Sequence, residues 1–171
     1  MSYDHEEHWC IDNEHYLPYL LKKEPPNPDN IWSMTDAVYA RFYPWAHIDN
    51  RCEGFSSFQG LRNGKPVYLL GIDTTDKTED EQKNTLIHEL IHIYCRTRKP
   101  LSHEETRQLH PVFGQELEDL VESEARHLRK TYPHLIDELF THFISRQKEI
   151  TAFLRITFPH PMIQGISSAQ A

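Results

Sequence analysis

The segment NTLIHELIHIYC, positions 84 to 95, constrains the fold more than any other part of the chain. At helical spacing Leu86, Leu90 and Ile93, together with Ile87 and Ile91, flank on both sides a stripe made of Thr85, His88, Glu89, His92 and Cys95. A helix apolar on both flanks must be wrapped by other elements, and its polar stripe then faces an internal cleft. Thr78 and Glu81 form a capping box that starts this helix near Glu79, and Pro100 follows its end at about Cys95.

The stripe has the pattern HExxH. Residues four apart stand one turn above each other, so His88 and His92 can aim both imidazoles at one Zn2+ ion. Glu89 projects beside them without displacing either. It can accept a proton from an attacking water that zinc acidifies and pass it to the leaving amine of a peptide. Chance can produce three fixed positions in a chain with 12 histidines. Here the match falls on a well-capped apolar helix, where two buried histidines and a glutamate without a metal would be costly to desolvate.

A catalytic zinc usually has three protein ligands and one open position. LVESEARHL offers Glu122 and Glu124, of which only one can face the metal because two residues apart lie on different sides of a helix. His110, before Pro111, is the histidine alternative. The plain alternative makes Glu116, Glu118, Asp119, Glu122 and Glu124 a solvated acidic face. His127, three positions beyond Glu124, is a candidate donor to a developing oxyanion, as are Tyr94 and Tyr68. Cys95, one turn beyond His92, and Cys10 are candidate regulatory thiols that could fill zinc's open position, with packing the simpler role for Cys95.

The other segments predict an α+β fold, mainly helical, with a small antiparallel sheet before the HExxH helix. YLPYLLKK suits a short helix, prolines 25, 26 and 28 break the chain, and SMTDAVYARFY (33–43) reads as a helix capped by Ser33. GFSSFQGL and KPVYLLGI read as a hairpin about Asn63-Gly64, with Pro66 placing the second strand at an edge that could hold an extended peptide. Ser102 and Glu105 start a short helix, an acidic helix carries QELEDLVESEARHLRK, and Pro133 opens a last long helical segment (133–156). The expected organisation is an N-terminal arm over 1–30, a candidate regulatory element, then a single metallopeptidase domain over 31–156 and an irregular tail over 157–171.

With 171 residues, one domain is expected. The 26 acidic and 18 basic side chains give a formal charge of -8, which disfavours direct nucleic-acid binding and favours a basic protein partner. No segment approaches the roughly 20 apolar residues of a membrane span, and MSYDHEEHWC has no signal-peptide pattern, so a cytoplasmic protein is expected. Three cysteines without a CxxC pair argue against a disulfide framework. The oligomeric state has no sequence signal.

GKPVYLLGIDTTDKTEDEQKNTLIHELIHIY followed by VESEARHL resembles the ImmA/IrrE family of zinc metallopeptidases over about positions 54 to 130. That resemblance implies a zincin-like, gluzincin-type body in which His88, His92 and Glu124 bind Zn2+ and Glu89 is the catalytic base. It also implies Glu-assisted cleavage of a specific protein substrate, a helix-turn-helix transcriptional repressor encoded beside the chain, in phage-defence or stress regulation. Ile91 and Arg126 depart from the family's frequent glycine and asparagine. TLIHELIHIY and HPVF (110–113) resemble SprT-like DNA-repair proteases more weakly, with Pro111 in place of a glycine, and there His110 would be the ligand. A non-enzymatic or latent zinc-bound interaction module is the third alternative.

Overall fold

The computed structural model describes residues 12–44 and 53–150. Residues 1–11 of the expected arm over 1–30, Cys10 among them, and the tail over 157–171 lie outside them. The described residues form a mainly helical α+β fold with a three-stranded mixed sheet ahead of the long central helix.

Helix α1 (Leu17–Lys23) follows a 3-10 turn over Asn13–Tyr16, and α2 spans Pro28–Met34. The proline-rich stretch starts α2 instead of only breaking the chain. Asn27 and Asn30 cap each other reciprocally, and Pro28 occupies a first-turn position where its missing N–H is no loss. The helix expected over 33–43 is corrected: after a 3-10 turn at Thr35–Ala37 the chain becomes β1 (Val38–Tyr43). Val38 and Phe42 are four apart, a spacing that fits one helix face and one strand face alike. Pairing with a neighbouring strand decides between them, as β-branched and aromatic residues favour.

Strands β2 (Gly54–Arg62) and β3 (Lys65–Asp73) form the expected hairpin, with Asn63 and Gly64 both at positive φ, 52° and 76°. The sheet order is β1-β3-β2, with β3 parallel to β1 and antiparallel to β2. Two expectations are thereby corrected: the sheet is mixed, and β2, not β3, is the edge on the hairpin side. Pro66 sits beside the turn opposite Leu61, where a missing donor costs the ladder little; the register shifts once, between Phe58 and Gly60, and is regular from Tyr68 to Ile72.

Every residue of β3 from Val67 to Asp73 is buried. Val38, Ala40, Phe42, Tyr68, Leu70 and Ile72 enter the main core, whereas Tyr39, Val67 and Leu69 pack on the other face with Ile150. This period-two division covers both faces of the sheet.

Helix α3 (Glu79–Thr97) lies in the main core and begins with the expected capping box: Thr78 Oγ1 accepts from Glu81 N at 3.2 Å and Glu81 Oε2 from Thr78 N at 2.7 Å. Leu86, Ile87, Leu90, Ile91, Ile93 and Tyr94 are each at most 1 % exposed. Ser102 caps the short α4 (His103–Thr106). Helix α5 (Gly114–Thr131) buries Leu117, Val121, Ala125 and Leu128. Helix α6 (Pro133–Ser145) opens with Pro133; after a turn at Arg146 residues 147–150 are helical again, and 151–156 of the expected segment lie outside the described residues. Leu17 and Leu20, in the segment read as an arm, join the same core as α3. No helix among the described residues is long and apolar enough to cross a membrane.

Candidate metal centre

The polar stripe of α3 meets one flank of α5. His88 Nε2 lies 2.8 Å from Glu118 Oε2, and His92 Nε2 lies 3.3 Å from Glu118 Oε1. The two imidazoles tilt at 57° with centroids 5.1 Å apart. Two donors on one tetrahedral ion stand about 3.3 Å apart, given ligand distances of about 2.0–2.2 Å. His88, His92 and Glu118 therefore form a cluster capable of holding a metal ion.

The far edges of both rings are also engaged. His88 Nδ1 hydrogen-bonds Glu122 Oε2 at 2.9 Å, and His92 Nδ1 hydrogen-bonds Glu14 Oε1. With carboxylates on both edges, each ring can satisfy every contact only when doubly protonated, or when a cation takes the place of the inner protons. Burial pulls the His88 pKa down, but hydrogen bonds to Glu118 and Glu122 win and raise it. His92 behaves likewise: burial opposes, Glu118 and Glu14 prevail, and its pKa rises to about 9. Glu118 is held far below the carboxylate range by its bonds to the two histidines. Such a field favours positive charge between the Nε2 atoms, and the donor set of two imidazoles and a carboxylate suits zinc.

Glu89 is 7 % exposed, and no hydrogen bond from the described residues acts on its carboxylate, only burial and nearby charge. Burial raises its pKa, partly offset by the charges of His92 and His88. An unengaged, partly desolvated carboxylate beside a cluster of this kind is poised to take a proton.

Glu124, the ligand implied by resemblance, is not the carboxylate brought to the histidines. Glu118 and Glu122 are one turn apart and share a flank of α5, while Glu124 lies about 200° round from Glu122, across the buried Leu117–Val121–Leu128 stripe. Burial raises its pKa and the charge of His127 opposes that rise. His110 is exposed and lines a small cleft with Tyr16, Pro18, Tyr19 and Lys22, outside the cluster. His127 is exposed on α5, about 180° round from Glu118. The Tyr94 hydroxyl donates to Glu24 O at 2.7 Å and accepts from Asn30 Nδ2, so it is committed elsewhere. Tyr68 lines a cleft of about 630 Å³ with Tyr16, Phe58, Arg96 and Arg98. Cys95 is 1 % exposed among core side chains, and burial pushes its thiol up to about 12, so it packs as an apolar group.

The sequence assigns Glu118 only to a solvated acidic face and gives Glu14 no role. The pair Glu118 and Glu122 repeats the four-residue spacing of His88 and His92, a matching signal on the partner helix. Glu14 sits in a 3-10 turn with no periodic pattern to mark it.

Strand β2 starts directly over this stripe. A Cβ on Gly54 would come within 2.5 Å of Thr85 Cγ2, 3.1 Å of Gly71 O and 3.2 Å of Glu89 Cγ. Gly54→Val should therefore destabilise the fold by about 1–3 kcal/mol, as overpacking does. Urea denaturation would measure it, and an unchanged midpoint would show that β2 has room to move. Compared with known proteins, the chain matches no family model, no curated protein and no solved structure.

Proposed function

We propose that the chain is a zinc-dependent endopeptidase with a zincin-like body. The observation behind this is the convergence of His88 Nε2 and His92 Nε2 on the Glu118 carboxylate, with the unengaged Glu89 beside them. His88, His92 and Glu118 would hold the ion, which when bound supplies acidified water and polarises the scissile carbonyl. Glu89 takes the proton of the attacking water and delivers it to the leaving amine. Glu118, half exposed, leaves the centre open to solvent and substrate.

Strand β2 supports a polypeptide substrate. Among the described residues it pairs only with β3, and Phe58 and Leu61 on it are 56 % and 64 % exposed. An extended peptide can add to such an edge through backbone hydrogen bonds. Arg96 Nη1 donates to Ser56 Oγ at 3.2 Å, which ties the strand to the end of α3 alongside the Tyr68 cleft.

The ImmA/IrrE resemblance in HELIH and ESEA, together with the charge of -8, supports a basic helix-turn-helix repressor as the cytoplasmic substrate. The position of Glu118 departs from the ligand that resemblance implies. It equally leaves His110, the ligand of the SprT-like alternative, without a place at the histidines.

The test is to mix the zinc-loaded chain with the repressor encoded beside it and measure fragment masses. One or a few discrete fragments that vanish after chelation are expected. Chelation should also lower the melting temperature by about 5–10 °C, since free metal at 100 times Kd stabilises by about 2.7 kcal/mol and a domain of this size shifts about 2–4 °C per kcal/mol. Zinc-dependent binding of an intact repressor would point to an interaction module instead. A chain that takes up no zinc would end the metal assignment.

A further inference from the structure

We infer that Glu14 is a positioning residue of the metal centre, holding the His92 ring through Nδ1 so that Nε2 faces Glu118. This rests on the metal assignment above. Glu14 is 7 % exposed and uses its two oxygens separately: Oε1 accepts from His92 Nδ1, and Oε2 accepts from Arg96 Nε at 3.1 Å, with Arg96 Nη2 at 3.0 Å. A neutral imidazole carries one proton. When that proton sits on Nδ1 and is donated to a carboxylate, the lone pair of Nε2 is left free for an ion, and the ring cannot turn over without losing the bond.

The turn that presents Glu14 is anchored by its neighbours, not by Glu14 itself. Asp12 Oδ1 accepts from Glu14 N at 2.9 Å, and Asn13 Nδ2 donates to Arg98 O at 3.0 Å and Lys99 O at 3.2 Å. His15 Nδ1 hydrogen-bonds Val112 O at 3.0 Å, and Val112 N donates to His15 O at 2.7 Å. Residues 12–16 are thus clamped both to the end of α3 and to the segment before α5. Removing the Glu14 side chain should leave the turn docked. Glu122 makes the equivalent bond to His88 from a side chain 40 % exposed, where water can replace it. Glu14, at 9 % side-chain exposure, has no such substitute.

The competing role for Glu14 is neutralisation of Arg96 alone. Four proteins separate the two: the unmodified chain, Glu14→Ala, Glu14→Gln, and Glu14→Ala combined with Arg96→Met, which removes the unpaired guanidinium. Zinc affinity is read by chelator competition, the coordination geometry by the visible spectrum of the Co2+-loaded protein, and folding by melting of the metal-free forms. Positioning predicts that Glu14→Ala weakens zinc binding about 10–100-fold and alters the cobalt spectrum. It predicts that the double variant stays equally weak, and that Glu14→Gln, which keeps an acceptor at Nδ1, recovers most of the loss. Recovery of affinity in the double variant would assign Glu14 to Arg96 and overturn the inference. So would Glu14→Ala binding zinc within twofold of the unmodified chain with an unchanged cobalt spectrum. Failure of the unmodified chain to bind either metal would instead overturn the metal assignment on which the inference stands.

Discussion

Glu89→Gln should cut the proposed hydrolysis sharply while leaving zinc binding in place. The substitution removes the proton acceptor and no ligand, so cleavage of the proposed repressor should fall by at least about 10²–10⁴-fold, the usual contribution of a general base. Zinc content by elemental analysis should remain that of the unmodified chain. The fold should be undisturbed, because no hydrogen bond from the described residues acts on the Glu89 carboxylate and the amide has nearly the same shape. Burial raises the Glu89 pKa, which means the folded state disfavours its charge; Gln removes that charge, so the variant should melt no lower than the original. Full cleavage by a pure E89Q preparation would end the proposed mechanism.

Glu118→Ala should strip the proposed site of its zinc, and Glu124→Ala should not. Loss of the carboxylate facing both Nε2 atoms leaves two imidazoles to hold the ion, and zinc affinity should fall by more than the about 10–100-fold expected for an outer-shell change. The Glu124 side chain lies across the core stripe of α5, so its removal should change affinity less than twofold. Competitive titration with a chromogenic chelator orders the two. The reverse order would return the third ligand to the position the family resemblance implies.

The contrast between these two glutamates marks where the sequence stops being informative. HExxH, its capping box and its apolar flanks are local, and local features fixed α3 and its stripe residue by residue. The hairpin was equally legible because Asn63-Gly64 satisfies a turn whose geometry depends on two residues. The choice between Glu118 and Glu124 depends on how α5 rotates against α3. That rotation is set by Leu117, Val121, Ala125 and Leu128 fitting the core, and an acidic helix offers a carboxylate on almost any side. β1 is ambiguous in sequence because a spacing of four fits both periods, and its parallel pairing with β3 resolves it. The mixed sheet followed from the same pairing.

The contacts of the centre also differ greatly in how far along the chain they reach. The β2–β3 hairpin closes around two residues, and the backbone hydrogen bonds of α3 close within its own turns. The His88 contacts to Glu118 and Glu122 span 30 and 34 positions, and the bond from His92 to Glu14 spans 78. Loop-closure entropy rises with the length enclosed, and topologically distant contacts form late. The order of assembly this implies is hairpin and helix first, α5 against α3 second, and the N-terminal turn last. Folding of the chain and ripening of its centre are then separate events, and a molecule can be compact, with its central helix formed, while His92 still waits for the residue that orients it.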